Sequence, residues 1–306
     1  MNVEKLDFVL AGLMRRYRER VPAVEKVISL LLEHDLIAGE SEIENDHIAF
    51  RTMGVPLLGI KSIDRIFLEY GYERRESYHF PAKKLDAYWY SPPADKYPRI
   101  FISELRVDDL SEKARNIIHS YTDEVTSDPI LQLDLQNPEA VDNYLHTGLW
   151  RTPTWADYQT LASESEYAAW VIYNRYYLNH FTISVHNLPG ESNTVEAFNQ
   201  FLECNGIQLN DAGGKAKISP DGLLIQSSTV AEMVSAEFAS DGEATEIHEI
   251  AGSYVEFAER RVLPEFANMP AEEITRIHRR DGFEAGNADK IFESTFSSQT
   301  SKSRSS

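Results

Sequence analysis

From residue 46 the chain runs through one order of elements, and at residue 180 it begins that order again. Residues 47–53 alternate as a strand, and 63–70 carry a helical period closed by Gly71. Strand-like runs then follow at 75–80, 85–90 and 99–107. After a long helical stretch, residues 180–188 read as a strand and 195–202 as a helix ending near Gly206. Three more strand-like runs follow at 216–219, 223–229 and 254–260. Each half opens its first strand with a histidine and carries a glutamate in its last, His47 with Glu104 and His180 with Glu256. A diverged duplication of a βαβββ unit is the reading that fits. It predicts an α+β fold whose paired modules form a cup-shaped, partly closed mixed sheet with added helices.

The rest of the chain is placed around that repeat. Residues 1–38 predict an N-terminal helical pair, from Val3, Leu6, Val9, Leu10, Leu13, Met14 and Tyr17 and then Val24, Val27, Ile28, Leu31 and Leu32. The first module is expected over 39–110 and a helical connection over 111–178, with 155–173 among its helical stretches. The second module spans 179–265 and a C-terminal segment 266–306. The modules form one compact domain, and the serine-rich end, 297–306, reads as a disordered tail.

Composition narrows the partners. A net charge of −19 argues against nucleic acid, whose phosphates need a basic stripe, and against anionic membrane surfaces. No stretch is apolar for long enough to span a bilayer, and residues 1–20 lack the apolar core of a signal peptide. Cys204 is the one cysteine, which excludes an internal disulfide and a thiolate cluster; on its amphipathic helix it is expected in the core. A soluble cytoplasmic protein is the expectation. Oligomeric state is not encoded in any of these features.

Strand parity gathers the chemistry. Side chains two apart share a face, so His47, Ala49 and Arg51 lie together, as do His180, Thr182, Ser184 and His186, and Tyr254, Glu256, Ala258 and Arg260. If the inward faces converge, two imidazoles and a carboxylate offer the nitrogen and oxygen donors that suit Fe(II), Mn(II) or Zn(II). Ala49 is small enough to leave room for a bound molecule, and Arg51 beside His47 suits a carboxylate. Gln226 and Ser228 on the 223–229 strand would face the same cup and orient a substrate oxygen.

Blander readings stand beside these. A lone histidine is usually a surface or satisfied core residue, and Glu256 competes with Glu259, which has the opposite parity. Glu104 admits three roles: a fourth ligand, a group behind a ligand, or an ion-pair partner. As a ligand it would make a two-His, two-Glu site, the mark of a metal-dependent isomerase, lyase or hydrolase. A non-catalytic small-molecule binding protein is the remaining alternative. His248 beside Glu249 is read as solvent-facing.

The segments His47-Ile48-Ala49-Phe50-Arg51-Thr52, Phe101-Ile102-Ser103-Glu104-Leu105, Ser219 through Thr229 and Tyr254 through Arg260 together resemble the 2-oxoadipate dioxygenase/decarboxylase family. The resemblance covers nearly the whole chain. It implies a vicinal oxygen chelate architecture, Fe(II) held by His47, His180 and Glu256, and a substrate-binding arginine at Arg51. A glutamate four residues before an arginine in the last strand, also similar to 4-hydroxyphenylpyruvate dioxygenase, selects Glu256 over Glu259. The implied reaction takes a 2-oxo acid and O2, with 2-oxoadipate giving 2-hydroxyglutarate and CO2. One departure stands out. Long-form members follow the second histidine with Leu-Thr-Pro-Arg, whereas this chain has Phe181-Thr182-Ile183-Ser184 and no arginine at Ser184.

Overall fold

The computed structural model describes residues 3–302 apart from 241 and 243. An N-terminal pair, α1 (Val3–Arg20) and α2 (Pro22–Glu33), is split by Pro22, whose missing N–H is harmless at the first helical position. The first module follows as β1 (Asn45–Met53), α3 (Ile60–Glu69), β2 (Glu73–Phe80), β3 (Leu85–Ser91) and β4 (Arg99–Leu105). The connection holds α4 (Glu112–Thr122), α5 (Pro138–His146), α6 (Trp155–Glu164) and α7 (Glu166–Asn174). The second module is β5 (His180–Ser184), α8 (Val195–Cys204), β6 (Lys217–Ile218), β7 (Leu224–Ser228) and, after a hairpin of β8 (Met233–Ala239) and β9 (Thr245–Ala251), β10 (Tyr254–Arg260). The chain closes with α9 (Ala285–Ile291) and α10 (Ser297–Thr300).

Eight strands make one mixed sheet in the order β2-β3-β4-β1-β5-β10-β7-β6. Each half repeats the same plan: its first strand pairs parallel with its last, and the middle strands lie outside. The halves meet where β1 runs antiparallel to β5, with Ala49 opposite His180. This is the curled, paired-module sheet that the duplication predicts. Side-chain packing repeats as well. Phe50 of β1 meets Phe67 of α3 with ring centroids 5.4 Å apart, and Phe257 of β10 meets Phe198 of α8 at 5.0 Å. The helix of each module thus covers the outer face of its sheet, leaving the inner faces for the cup.

Four expectations are corrected. The helical stretch expected over 155–173 is interrupted at Ser165, whose backbone is extended and whose hydroxyl accepts from the Ala168 N–H to start α7. The strand expected over 180–188 ends at Ser184 and turns into a short 3₁₀ segment. Cys204 is exposed, not in the core. The serine-rich end is ordered through residue 302: Gln299 and Thr300 are buried, and the Gln299 side chain accepts from the Asp211 N–H. Residues 303–306 lie outside the described part.

Candidate metal centre

Strand pairing brings three distant residues together. With Ala49 opposite His180 and Thr182 opposite Glu256, the inner faces of β1, β5 and β10 converge on one point. One donor atom each from His47, His180 and Glu256 lies within 4.8 Å of the others, and all three residues are buried. The Glu256 carboxylate sits 3.0 Å from His180 Nε2 through one oxygen and 3.5 Å from His47 Nε2 through the other.

The outer nitrogens of the imidazoles are fixed from behind. His47 Nδ1 lies 2.8 Å from the Asp46 carboxylate, and His180 Nδ1 lies 3.0 Å from the Asn179 side-chain oxygen. With the proton on each Nδ1, both Nε2 lone pairs face the centre, the arrangement that metal-bound histidines adopt. The Thr182 hydroxyl lies 3.0 Å from His47 Nε2. Gln226 does the same service for the carboxylate: its amide donates to Glu256 at 2.6 Å and accepts from Asn287 at 3.0 Å.

Electrostatics agree with a metal-ready site. Burial alone would raise the Glu256 carboxyl, but the two neighbouring imidazoles outweigh it and hold it at about 2, so it is a carboxylate at neutral pH. Burial lowers His180, which keeps it neutral. For His47 burial also works downward, yet Glu256 and Asp46 outweigh it and raise the group. A cation entering the triad therefore replaces the proton that His47 otherwise shares with these carboxylates. Two borderline nitrogens and one hard oxygen, with no sulfur, fit a first-row divalent metal.

Arg51 is the site's other charge. Its guanidinium is fully buried, donates to Thr295 Oγ1 at 2.8 Å and to the Phe292 carbonyl at 3.0 Å, and leaves Nε without a partner. The Tyr254 hydroxyl faces it without a well-formed hydrogen bond. Rings of Tyr167, Trp170 and Phe292 lie 5.2–5.7 Å from its central carbon. Among the described residues no carboxylate ion-pairs with it. Asn179 Nδ2 is a second buried donor without a partner. Both residues line the cavity over the triad, which Phe283 and Phe292 of the C-terminal segment close to about 20 Å³.

Other sequence candidates go elsewhere. Ser228 does not line the cavity; its hydroxyl pairs with Ser294 at 2.8 Å. Glu104 turns away from the cup and accepts from the Ile60 N–H at 2.8 Å, at the start of α3. Register explains the difference between the two modules. Glu256 pairs with the residue two after His180, and the matching position in the first module, opposite Ala49, is Phe101. A two-His, two-Glu site is therefore absent among the described residues. Glu259, of opposite parity, accepts from the Val195 N–H at the start of α8. His186 leaves the strand face and accepts from the Arg260 N–H, and His248 stacks on Trp155 at 4.1 Å.

Asp46, Asn179, Asn287, Phe283, Phe292 and Thr295 are functional-site residues that sequence reasoning did not single out. A signal existed for two of them: a short polar acceptor stands immediately before each histidine of the duplicated unit.

The profile of the 2-oxoadipate dioxygenase/decarboxylase family matches residues 9–269. The chain belongs to that family. The chloroplastic 2-oxoadipate dioxygenase/decarboxylase of Arabidopsis thaliana is 44% identical over 96% of this chain and 78% of its own length. The chloroplastic/amyloplastic enzyme of Oryza sativa subsp. japonica is 46% identical over 96% and 79%. The crystal structure of the Oryza sativa hydroxyglutarate synthase in complex with 2-oxoadipate superposes with a TM-score of 0.84 at 43% identity, covering 96% of this chain and 92% of that one. The cytoplasmic expectation is overturned by the relatives' plastid location. A single cysteine and a net charge of −19 carry no signal that separates one compartment from another.

Proposed function

We propose that this chain is an Fe(II)-dependent dioxygenase/decarboxylase that converts 2-oxoadipate and O2 into 2-hydroxyglutarate and CO2. The observation that carries the reading is a His-His-Glu triad beside a buried arginine that lacks a counter-ion. The overall reaction balances without any external reductant, because the 2-oxo acid supplies all the electrons that O2 takes up. His47, His180 and Glu256 would hold the iron, which supplies the redox chemistry with O2 and polarises the chelating 2-oxo acid.

This chain's residues do the rest. Arg51 binds the distal carboxylate of the substrate by charge-assisted hydrogen bonds. It lies four positions beyond His47 on β1, about 13 Å along an extended strand, which suits an acid with a second carboxylate far from its 2-oxo end. Arg51 is the sole Lys or Arg among the residues lining the cavity. Its counterpart in the second module, by register, is Ser184. One anchor at one end favours one orientation: the 2-oxo acid end goes to the iron. Asn179 Nδ2 donates to a substrate oxygen near His180, while Phe283 and Phe292 exclude water.

Oxygen consumption by the Fe(II)-loaded protein tests the reading. With 2-oxoadipate, one O2 consumed per CO2 released is expected, together with 2-hydroxyglutarate. No uptake across a panel of 2-oxo acids would remove the oxygenase assignment. Arg51→Met is expected to retain iron and to raise KM for 2-oxoadipate roughly 10- to 100-fold, the worth of about 1.5–3 kcal/mol for hydrogen bonds to a charged group.

A further inference from the structure

Behind the metal centre lies a second charged cavity, of about 260 Å³, that the proposed reaction does not use. A chain of net charge −19 gathers four arginines around it, Arg99, Arg260, Arg276 and Arg279. Asp46 is the buried acid on its wall, and that carboxylate is already shared. It accepts from Arg260 Nε at 2.6 Å, from Arg260 Nη2 at 2.9 Å and from Arg99 Nη1 at 3.3 Å, besides holding His47. Arg99 Nε is taken by Asp281 at 2.5 Å. Glu44, at the exposed rim, accepts from the Asn187 amide at 2.6 Å and, with Glu259, partly offsets the charge of Arg279.

Positive charge is left over. Among the described residues Arg276 donates to the carbonyls of Asp95 and Tyr97, and Arg279 to that of Arg260. Neither makes an ion pair among the described residues, whereas their neighbour Arg280 reaches both Asp221 and Glu284. The Nη2 atoms of Arg99 and Arg276 are buried without any partner, and Arg99 as a whole is 2% exposed. Burial and the adjacent Arg260 push the Arg99 guanidinium down to about 10. His186, also on the wall, is pushed by burial to about 4 and adds no positive charge at neutral pH. Guanidinium groups gathered in a low-dielectric pocket repel one another, and an anion among them relieves that cost.

We propose that this cavity is a second anion site, separate from the metal centre, taking a small oxyanion through Arg99, Arg276 and Arg279. Its volume lies below the range of about 300–1,000 Å³ typical for drug-sized ligands, so the ligand is a phosphate or a short carboxylate and not a nucleotide. The planar fork of arginine donors recognises both chemistries. The site does not rest on the oxygenase assignment.

Calorimetric titration of the metal-loaded protein at constant ionic strength, with inorganic phosphate and separately with succinate, tests it. Saturable 1:1 binding of either supports the site, and the tighter of the two names the source of the oxyanion. The Kd is expected to rise at least tenfold in the Arg276→Gln/Arg279→Gln variant and to change less than twofold in Arg51→Met, which leaves this cavity intact. Because Arg276 and Arg279 also brace backbone carbonyls, the Arg276→Lys/Arg279→Lys variant is the control for folding. It keeps the charge and is expected to bind more tightly than the glutamine variant. Absence of saturable binding by both anions, equal loss in the lysine and glutamine variants, or loss only in Arg51→Met overturns the proposal.

Discussion

Asp46 joins two demands in a single side chain: it holds His47 and it neutralises Arg260 and Arg99. Burial works to raise its carboxyl, but the two guanidinium groups prevail and hold it well below the ordinary carboxylate value. A carboxyl lowered by folding contributes stability that is complete above its unfolded value, about 3.9, and is lost as pH falls through the lower folded value. Asp46→Asn is therefore expected to cost about 3–5 kcal/mol at neutral pH, the penalty of leaving buried charges unpaired. That difference, read from denaturant unfolding, should shrink as pH falls below about 3.9; a gap that widens there would contradict the ion-pair account. Gln226 and Glu104 give a paired test of what surrounds the metal. Gln226→Leu removes the donor to Glu256 and should weaken metal binding roughly 10- to 100-fold. Glu104→Gln keeps an acceptor for the Ile60 N–H and should leave metal content untouched. Loss of metal in the Glu104 variant would restore the two-glutamate reading.

At the scale of elements, period-two parity grouped His47 with Arg51 and set Glu256 and Glu259 on opposite faces, while the family resemblance chose Glu256 as the inward one. The same rule hid Asp46, because neighbours on a regular strand point apart. The register of β1 against β5 shifts between Asn45 and His47, and a bulge of this kind re-aims a side chain, here toward the adjacent imidazole. Asn179 escapes the rule differently, standing just before the first residue of β5. The β8–β9 hairpin was illegible for a plain reason: Ile247 is 71% exposed while Ile250 on the same strand is 2% exposed, so apolar spacing carries no face signal there. Polar composition misled at 297–300, where Gln299 and Thr300 are buried, and it left the stretch before them without an assignment. Asn287, Ser294 and Thr295 are buried, and their hydrogen bonds run to Gln226, Ser228 and Arg51. A polar segment escapes disorder when each of its groups finds a partner, and partners two hundred residues away leave no local trace.

Across the whole molecule, that C-terminal segment decides access. The duplicated sheet supplies a cup, and residues 283–295 cover it with Phe283 against His47 at 4.7 Å and Phe292 beside Arg51. About 20 Å³ of space remains over the triad, room for little more than one water, so a six-carbon acid enters only if the cover moves. The cover is made of short helical turns tied on mainly by side chains, Phe283 and Phe292 through aromatic packing and Asn287 and Thr295 through hydrogen bonds, whereas β1 and β5 are strand-paired in the middle of an eight-stranded sheet. Segments held in this way open at lower free energy than the strands beneath them. Amide hydrogen exchange across residues 283–296 is therefore expected to be faster than across β1 and β5 in the free protein. It should slow on addition of 2-oxoadipate under anaerobic conditions with iron present, because the bound acid supplies the carboxylate that Arg51 lacks and Arg51 is itself tied to Thr295 and the Phe292 carbonyl. Exchange over 283–296 as slow as in the central strands, and indifferent to the acid, would mean that the substrate enters by another route and that the C-terminal segment is a fixed wall.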